Sequence, residues 1–320
     1  MRILIVGFGV VGQATVGLLA EQRSRLAQQH GLNPRIVGVV NSTGAITSTK
    51  ELDVAALLGG ELPWTRGRSA LEVISQVEAD VVIEAGPTSL ADPGAGIERL
   101  QAAFRTGKHA ISVNKAPLAV AMPPLLELAR YNGVQFRFSG TVGGGTPFLD
   151  WAARCADGDE VLGMRGILNG TTNYILTQMR REMPFDVALA EAQRKGYAEA
   201  DPTMDIDGID SAIKLVILAN TVLGRRAVLS DVSVTGIRGL RLGTDNVRLL
   251  AEVGETLSVA PRHIDRGSPL DVSGTLNALS VLLRNGGEVT LVGRGAGGPE
   301  TATSVVRDLI SIWHSHWTNR

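Results

Sequence analysis

Apolar residues in the first part of the chain fall into short unbroken runs, separated by longer stretches in which they recur every three to four positions. Residues 2–6 form such a run, a glycine cluster follows, and a helical pattern then extends to about His30 before a second run at 35–40. Short continuous runs suit strands buried on both faces, and the periodic stretches suit helices that cover them. Further strands are predicted at 79–85, 109–113 and 134–138. Helices are predicted at 94–106, closed by Gly107, and at 123–131, stopped by Asn132-Gly133. This alternation predicts a Rossmann-like, doubly wound parallel sheet over about the first 138 residues.

Beyond Gly140 the pattern changes. A glycine-rich connection, 141–147, is a natural domain boundary. A strand is predicted at 161–168, followed by Asn169-Gly-Thr-Thr-Asn173 and a helix to about Arg181. An amphipathic helix at 186–195 is closed by Gly196. The stretch 209–223 is apolar almost all round and predicts a buried helix. The later part mixes short strands with a helix, and a last helix is expected at about 301–317. The second half therefore reads as α+β.

Composition narrows the functional classes. With 320 residues, 44% hydrophobic and 20% charged, the chain can bury two cores and is not disordered throughout. A net charge of −1 gives no basic face for nucleic acid or anionic lipid. No apolar run reaches the roughly 18 residues a membrane span needs. The single cysteine, Cys155, excludes an intrachain disulfide framework and a multi-cysteine zinc site. A cytoplasmic location is the expectation.

Five places carry candidate chemistry. Gly7-x-Gly9-x-x-Gly12 follows a strand and opens a helix, the arrangement in which backbone N–H groups approach a pyrophosphate. Its alternative is a purely structural turn. The residues of this loop, Gly7, Phe8, Gly9, Val10, Val11 and Gly12, are candidate cofactor contacts. Asn41 and Ser42 follow the second strand, where an acid would grip the ribose 2′-hydroxyl of NAD. Neither an acid nor an adjacent Arg stands there, so NADP(H) and NAD(H) both remain open. Asn41 and Ser42 equally suit a plain turn.

The apolar helix 209–223 carries Asp210 and Lys214, four apart and on one face. They form either a structural ion pair or part of a polar cavity in which Lys214 donates a proton. Glu199, Asp201, Asp205 and Asp207 precede them. This stretch is either a solvated loop with Asp207 as helix cap or a carboxylate cluster suited to an ammonium-bearing substrate; EF-hand spacing is absent. Asn169–Asn173 can cap its helix or present the helix N-terminus to a carboxylate. Lys115 follows a strand of the first sheet, whose carboxyl ends point at the ligand crevice. The alternative for Lys115 is a solvated loop residue.

At these residues the chain resembles homoserine dehydrogenase. The motifs are GFGVVG at 7–12 with its preceding strand, VNKAPLA around Lys115, GTVGGGTP at 140–147, GILNGTTNYIL at 166–176, GYAEADPTMDIDGIDSAIKL at 196–215 and GRGAGG at 293–298. The resemblance implies reversible NAD(P)H-dependent reduction of L-aspartate 4-semialdehyde to L-homoserine, in threonine, methionine and isoleucine biosynthesis. It implies Lys214 and Lys115 as catalytic lysines. Glu199, Asp210, Gly170, Thr171 and Tyr197 are implied to surround the substrate, and Gly196 and Gly297 to contact the cofactor; Asp205 is expected to orient Lys214 or the substrate. It also implies a first domain of residues 1–138 and 299–320, a catalytic and dimerisation domain of 139–298, and a homodimer. The chain is similar to the short monofunctional form, so threonine feedback through an ACT domain is not expected. The family's sodium ion would here rest on the backbone of Val142, Gly144 and Thr146, with Ser139 where the family often has Glu. Two other readings are another NAD(P)-dependent amino-acid oxidoreductase, similar to aspartate dehydrogenase, and a non-catalytic dinucleotide sensor.

Overall fold

The computed structural model describes residues 1–241, 245–295 and 297–317. The chain divides into two units, Met1–Thr141 with Gly297–Arg320, and Val142–Ala296.

In the first unit seven strands form one sheet. They are β1 (Arg2–Val6), β2 (Arg35–Val40), β3 (Gly44–Thr47), β4 (Thr65–Arg66), β5 (Val81–Glu84), β6 (His109–Ser112) and β7 (Phe136–Arg137), in the order β4-β3-β2-β1-β5-β6-β7. The apolar runs make the parallel part, β2-β1-β5-β6-β7. The chain leaves β1 for β2 on one side and later returns to β5 on the other. Strand order therefore reverses beside β1, the place where such sheets bind ligands. The helices are α1 (Val10–Glu21), α2 (Arg23–His30), α3 (Val54–Leu58), α4 (Ala70–Gln76), α5 (Gly94–Arg105) and α6 (Ala116–Tyr131). The C-terminal helix, Gly298–Trp317, returns to this unit. Its Val305, Leu309 and Ile312 share one core with Ile3, Ile5, Val39, Ile83, Val16 and Leu19.

Three expectations need correction here. The sheet is not purely parallel: Asn41 Oδ1 accepts from the Thr43 and Gly44 N–H groups, and this tight turn sends the chain back antiparallel as β3 and then β4. The first helical stretch is broken at Gln22, which ends α1 and begins α2. The helix expected from 123 starts at Ala116. Pro123 and Pro124 cannot donate to the preceding turn, and the backbone leaves the helical region at Ala121 (φ −140°), so two helical stretches meet there.

The second unit holds a six-stranded mixed sheet. Its strands are β8 (Val161–Ile167), β9 (Val232–Val234), β10 (Val247–Val253), β11 (Leu257–His263), β12 (Leu276–Leu283) and β13 (Gly287–Arg294), in the order β13-β12-β8-β10-β11-β9. Its helices are α7 (Phe148–Gly158), α8 (Gly170–Met179), α9 (Phe185–Arg194), α10 (Thr203–Ile206) and α11 (Ile209–Leu223). As its composition requires, α11 is buried from Asp210 through Asn220. The helix expected in the later part is absent among the described residues between Asp231 and Arg294, where antiparallel hairpins turn at Gly254 and at Gly286-Gly287. No described helix is long and apolar enough to cross a membrane.

Candidate active site

In the first unit the glycine loop closes the end of β1. Gly7 donates to Val40 O at 2.8 Å and adopts φ +101°. A Cβ on Gly7 would lie 2.3 Å from the Ala85 carbonyl, just past β5, and one on Gly12 would lie 2.3 Å from Gly7 O. Neither position tolerates a side chain. Gly9 differs: a Cβ there meets nothing within 4 Å. Gly9 is the N-cap of α1 and supplies no side-chain cap, and the first turn carries no acid. The first amides of α1 thus keep their hydrogen-bonding capacity beside open space, which is what a pyrophosphate requires. The residues fit a dinucleotide. Val10, exposed at 75%, stands at this opening, and a Cβ on Gly298 would meet its side chain at 2.6 Å. Gly297 therefore adjoins the loop; Ala296 of the same motif lies outside the described residues. Phe8 packs its ring against Trp64, with centroids 6.2 Å apart.

Lys115 is half-buried as the N-cap of α6, and its N–H lies 3.4 Å from Thr88 Oγ1. Nearby, at the carboxyl end of β5, Glu84 is fully buried and paired with Arg99 at 3.1 Å. Burial pushes its carboxyl above the usual range. The sequence reading did not single out Glu84; an acid ending an otherwise apolar strand was the available signal.

In the second unit the predicted helix pair is a buried cluster. Lys214 Nζ lies 2.6 Å from Asp210 Oδ2 and donates to Leu168 O at 2.6 Å. Asn169 Nδ2 donates to Asp210 Oδ2 at 2.9 Å and to Asp205 Oδ1 at 2.6 Å. The Oδ1 atom of Asn169 accepts from Thr172 N at 2.9 Å and caps α8. One side chain thus starts a helix and bridges two carboxylates. Burial, and then the charge of Asp210, raise the Asp205 carboxyl above its usual range. Thr171 Oγ1 donates to Tyr197 O at 2.6 Å, and the Tyr197 ring meets Tyr174 edge-on at 5.0 Å. Gly170 has no room for a Cβ, which would lie 2.8 Å from Thr275 O.

The structure gathers Asp205, Asp210, Lys214, Gly170, Thr171 and Tyr197 around Asn169. It does not bring the Glu199 side chain into that network: Glu199 is exposed, and its backbone carbonyl accepts from Gln193. Gly196 ends α9 at φ +74° and is exposed. Asn41 is turned inward by its own loop, whereas Ser42 is exposed. Asp207 is not the helix cap. Gly208, at φ +82°, takes that position, and Asp207 instead makes a two-point pair with Arg238. The sequence offers Asn169 as a cap or as part of a helix N-terminus facing a carboxylate; its bridging role depends on carboxylates 36 and 41 residues away.

The loop proposed for sodium contains the positive-φ residues Gly143 and Gly144, and the Thr146 hydroxyl donates to Arg294 O at 2.8 Å. Among the described residues no group of three or more His, Cys, Asp or Glu is placed to hold a metal ion.

Comparison with known proteins agrees across both units. A family model described as "Homoserine dehydrogenase, NAD binding domain" matches residues 7–139, and one described as "Homoserine dehydrogenase" matches 147–310. A homoserine dehydrogenase of Methanocaldococcus jannaschii is 37% identical, over 98% of this chain and 99% of its own. An NAD(+)-dependent homoserine dehydrogenase of Pseudomonas canavaninivorans is 36% identical, over 98% and 96%. A hyperthermophilic archaeal homoserine dehydrogenase mutant solved in complex with NADPH superposes with a TM-score of 0.88 at 29% identity, covering 100% of this chain and 99% of that one.

Proposed function

The chain belongs to the homoserine dehydrogenase family, NAD(P)-dependent oxidoreductases that act on a CH–OH group, and from that premise we propose how its residues divide the reaction. The reaction is the reversible reduction of L-aspartate 4-semialdehyde to L-homoserine, a step in threonine, methionine and isoleucine biosynthesis. When bound, the nicotinamide cofactor supplies or accepts the hydride. The amides at the start of α1 hold its pyrophosphate, with Gly7, Phe8, Gly9, Val10, Val11 and Gly12 forming the cradle. Asn41, Ser42, Lys115, Gly196 and Gly297 are the further proposed contacts.

One observation carries the catalytic reading: the Lys214 ammonium is fixed by Leu168 O and Asp210, each at 2.6 Å, in a buried setting. An ammonium has three N–H donors, and these two partners use two. The third is assigned to the substrate oxygen, to which Lys214 gives a proton during reduction and from which it takes one during oxidation. Lys115 assists by charge. Asp205 and Asp210 hold the substrate ammonium, and Glu199, exposed outside their network, is kept as a further proposed contact. The first amides of α8, at Gly170 and Thr171, receive its carboxylate, and Tyr197 closes the same pocket. Burial first and the charge of Asp210 second raise the Asp205 carboxyl, and a bound cation would offset both by favouring its ionised form.

The sodium proposal rests on the carbonyls of Val142, Gly144 and Thr146. Ser139 offers no carboxylate and the Thr146 hydroxyl is already bound, so no reaction step is routed through a cation. A homodimer is proposed from the resemblance and from the exposed Leu282 and Val292, which stand on one face of β12–β13. A cytoplasmic setting accords with the lone, unpaired thiol of Cys155.

Initial rates with L-homoserine and with L-aspartate, each with NADP+ and NAD+, test this reading. Homoserine-dependent reduction of the cofactor is expected. Turnover with aspartate alone would favour an activity similar to aspartate dehydrogenase, and binding without turnover would favour a sensor.

A further inference from the structure

Family membership does not fix the choice between NADP(H) and NAD(H): one relative is NAD(+)-dependent and another was solved with NADPH. We infer that Arg66 reads the 2′-phosphate of NADP(H) and makes this chain prefer the phosphorylated cofactor. The inference rests on the reading of the first unit as the cofactor unit.

The carboxyl end of β2 is where the adenosine ribose is recognised in such sheets. Here Val40 is followed by Asn41, whose side-chain oxygen is spent on the N–H groups of Thr43 and Gly44. No carboxylate stands there to grip a 2′-hydroxyl or to repel a phosphate. The antiparallel excursion then brings a cation to the same turn. In the register of β3 and β4, Gly44 is opposite Arg66, and Gly67 N lies 3.4 Å from Thr43 O. The approach is close because residue 44 is glycine: a Cβ there would lie 2.1 Å from Thr65 O and 2.9 Å from Arg66 Cα. The excursion is also tied to the pyrophosphate loop, since Trp64, two residues earlier, packs against Phe8.

Exposed Lys50 lies past the far end of β3, where Thr47 is opposite Gly38, and three other cations of this unit are engaged. Arg23 pairs with Glu51, Arg99 pairs with Glu84, and the Arg68 guanidinium binds Thr47 Oγ1 and Gln76 Oε1. Arg66 is exposed, and among the described residues its guanidinium has no hydrogen-bond or ion-pair partner. A planar guanidinium matches a phosphate with two parallel N–H donors, which a ribose hydroxyl cannot use in the same way. Sequence adjacency concealed this residue, because it lies more than twenty positions beyond the turn it joins.

The test is a fluorescence titration of the full chain with NADPH and with NADH, for the wild type, Arg66→Gln and Arg66→Lys. Wild type is expected to bind NADPH more tightly than NADH. Arg66→Gln should reduce that affinity ratio about tenfold or more, the scale of a charge-assisted hydrogen-bond pair, with the melting temperature unmoved. Arg66→Lys should recover part of the ratio, and added salt should erode the preference of wild type more than that of the Gln variant. A ratio unchanged in Arg66→Gln, or a wild type that prefers NADH, would overturn the assignment while leaving the cofactor cradle standing. Failure of wild type to bind either dinucleotide would bring down the reading of the first unit, and this inference with it.

Discussion

The helices α1 and α8 begin alike, each directly after a strand of its own unit and each with a glycine in its first turn, yet their N-termini are treated in opposite ways. At α1 the N-cap is Gly9, no side chain caps the amides, and the space where a Cβ would stand is open. At α8 the N-cap is Asn169, which satisfies Thr172 N and spends its amide on Asp205 and Asp210. An uncapped helix start is costly unless water or a ligand completes it, so the first is shaped for a group that comes from outside. The second is capped from within at Thr172 N, and its cap has become the hub of a charged cluster. The first unit offers backbone and open space at its helix start; the second offers converging side chains.

The strongest way to break this contrast is Lys214→Ala. If the second unit performs the proton transfer, kcat should fall by about 10² to 10⁴ while NADPH affinity stays within about twofold. A fall in NADPH affinity with kcat preserved would reverse the division of labour. Next in size is Asn169→Asp. Aspartate caps a helix as well as asparagine does, so a residue that only caps would tolerate the change. As a bridge it would instead set a third carboxylate against Asp205 and Asp210. A loss of about tenfold or more in kcat/KM, steeper at high pH, is expected; wild-type kinetics would reduce Asn169 to a cap.

The smallest effect concerns stability. The folded state raises the Asp205 carboxyl, so the native protein holds that proton more tightly than the unfolded chain does. The ionised group then destabilises the fold above its folded-state pKa, and the penalty fades as pH falls through it. Asp205→Asn should raise the melting temperature by about 1–3 °C near pH 7.5, with the gain shrinking as pH falls towards the ordinary carboxylate range, while the KM for homoserine rises. A gain that does not shrink at any lower pH would mean that the charge of Asp205 is not the cause.

These differences also explain what the sequence disclosed. The α1 cradle is local: six residues and a preceding apolar run specify it, because backbone geometry needs only glycines at fixed spacing. The burial of α11 was legible for the same reason, and the four-residue step from Asp210 to Lys214 placed both on one face. Asn169 was not legible as a bridge, because its partners sit on α10 and α11. The two-residue strand Thr65–Arg66 is too short to leave a period, and its pairing with β3 shows only in three dimensions. Asp207 was misread because Asp is a favoured cap, whereas the positive φ that Gly208 can adopt let the glycine take the position. Glu199 lies in the most family-specific motif, yet its side chain stands apart from the cluster.

The contrast between the two helix starts is tested most directly by titrating Gly9→Ala with NADPH. A methyl group at this position meets no atom of the chain within 4 Å, so the fold and its melting temperature should be unchanged. It would, however, occupy the space assigned to the pyrophosphate, and the affinity should fall about tenfold or more. Wild-type affinity in a fully folded Gly9→Ala protein would contradict the claim that α1 was left uncapped to receive the cofactor.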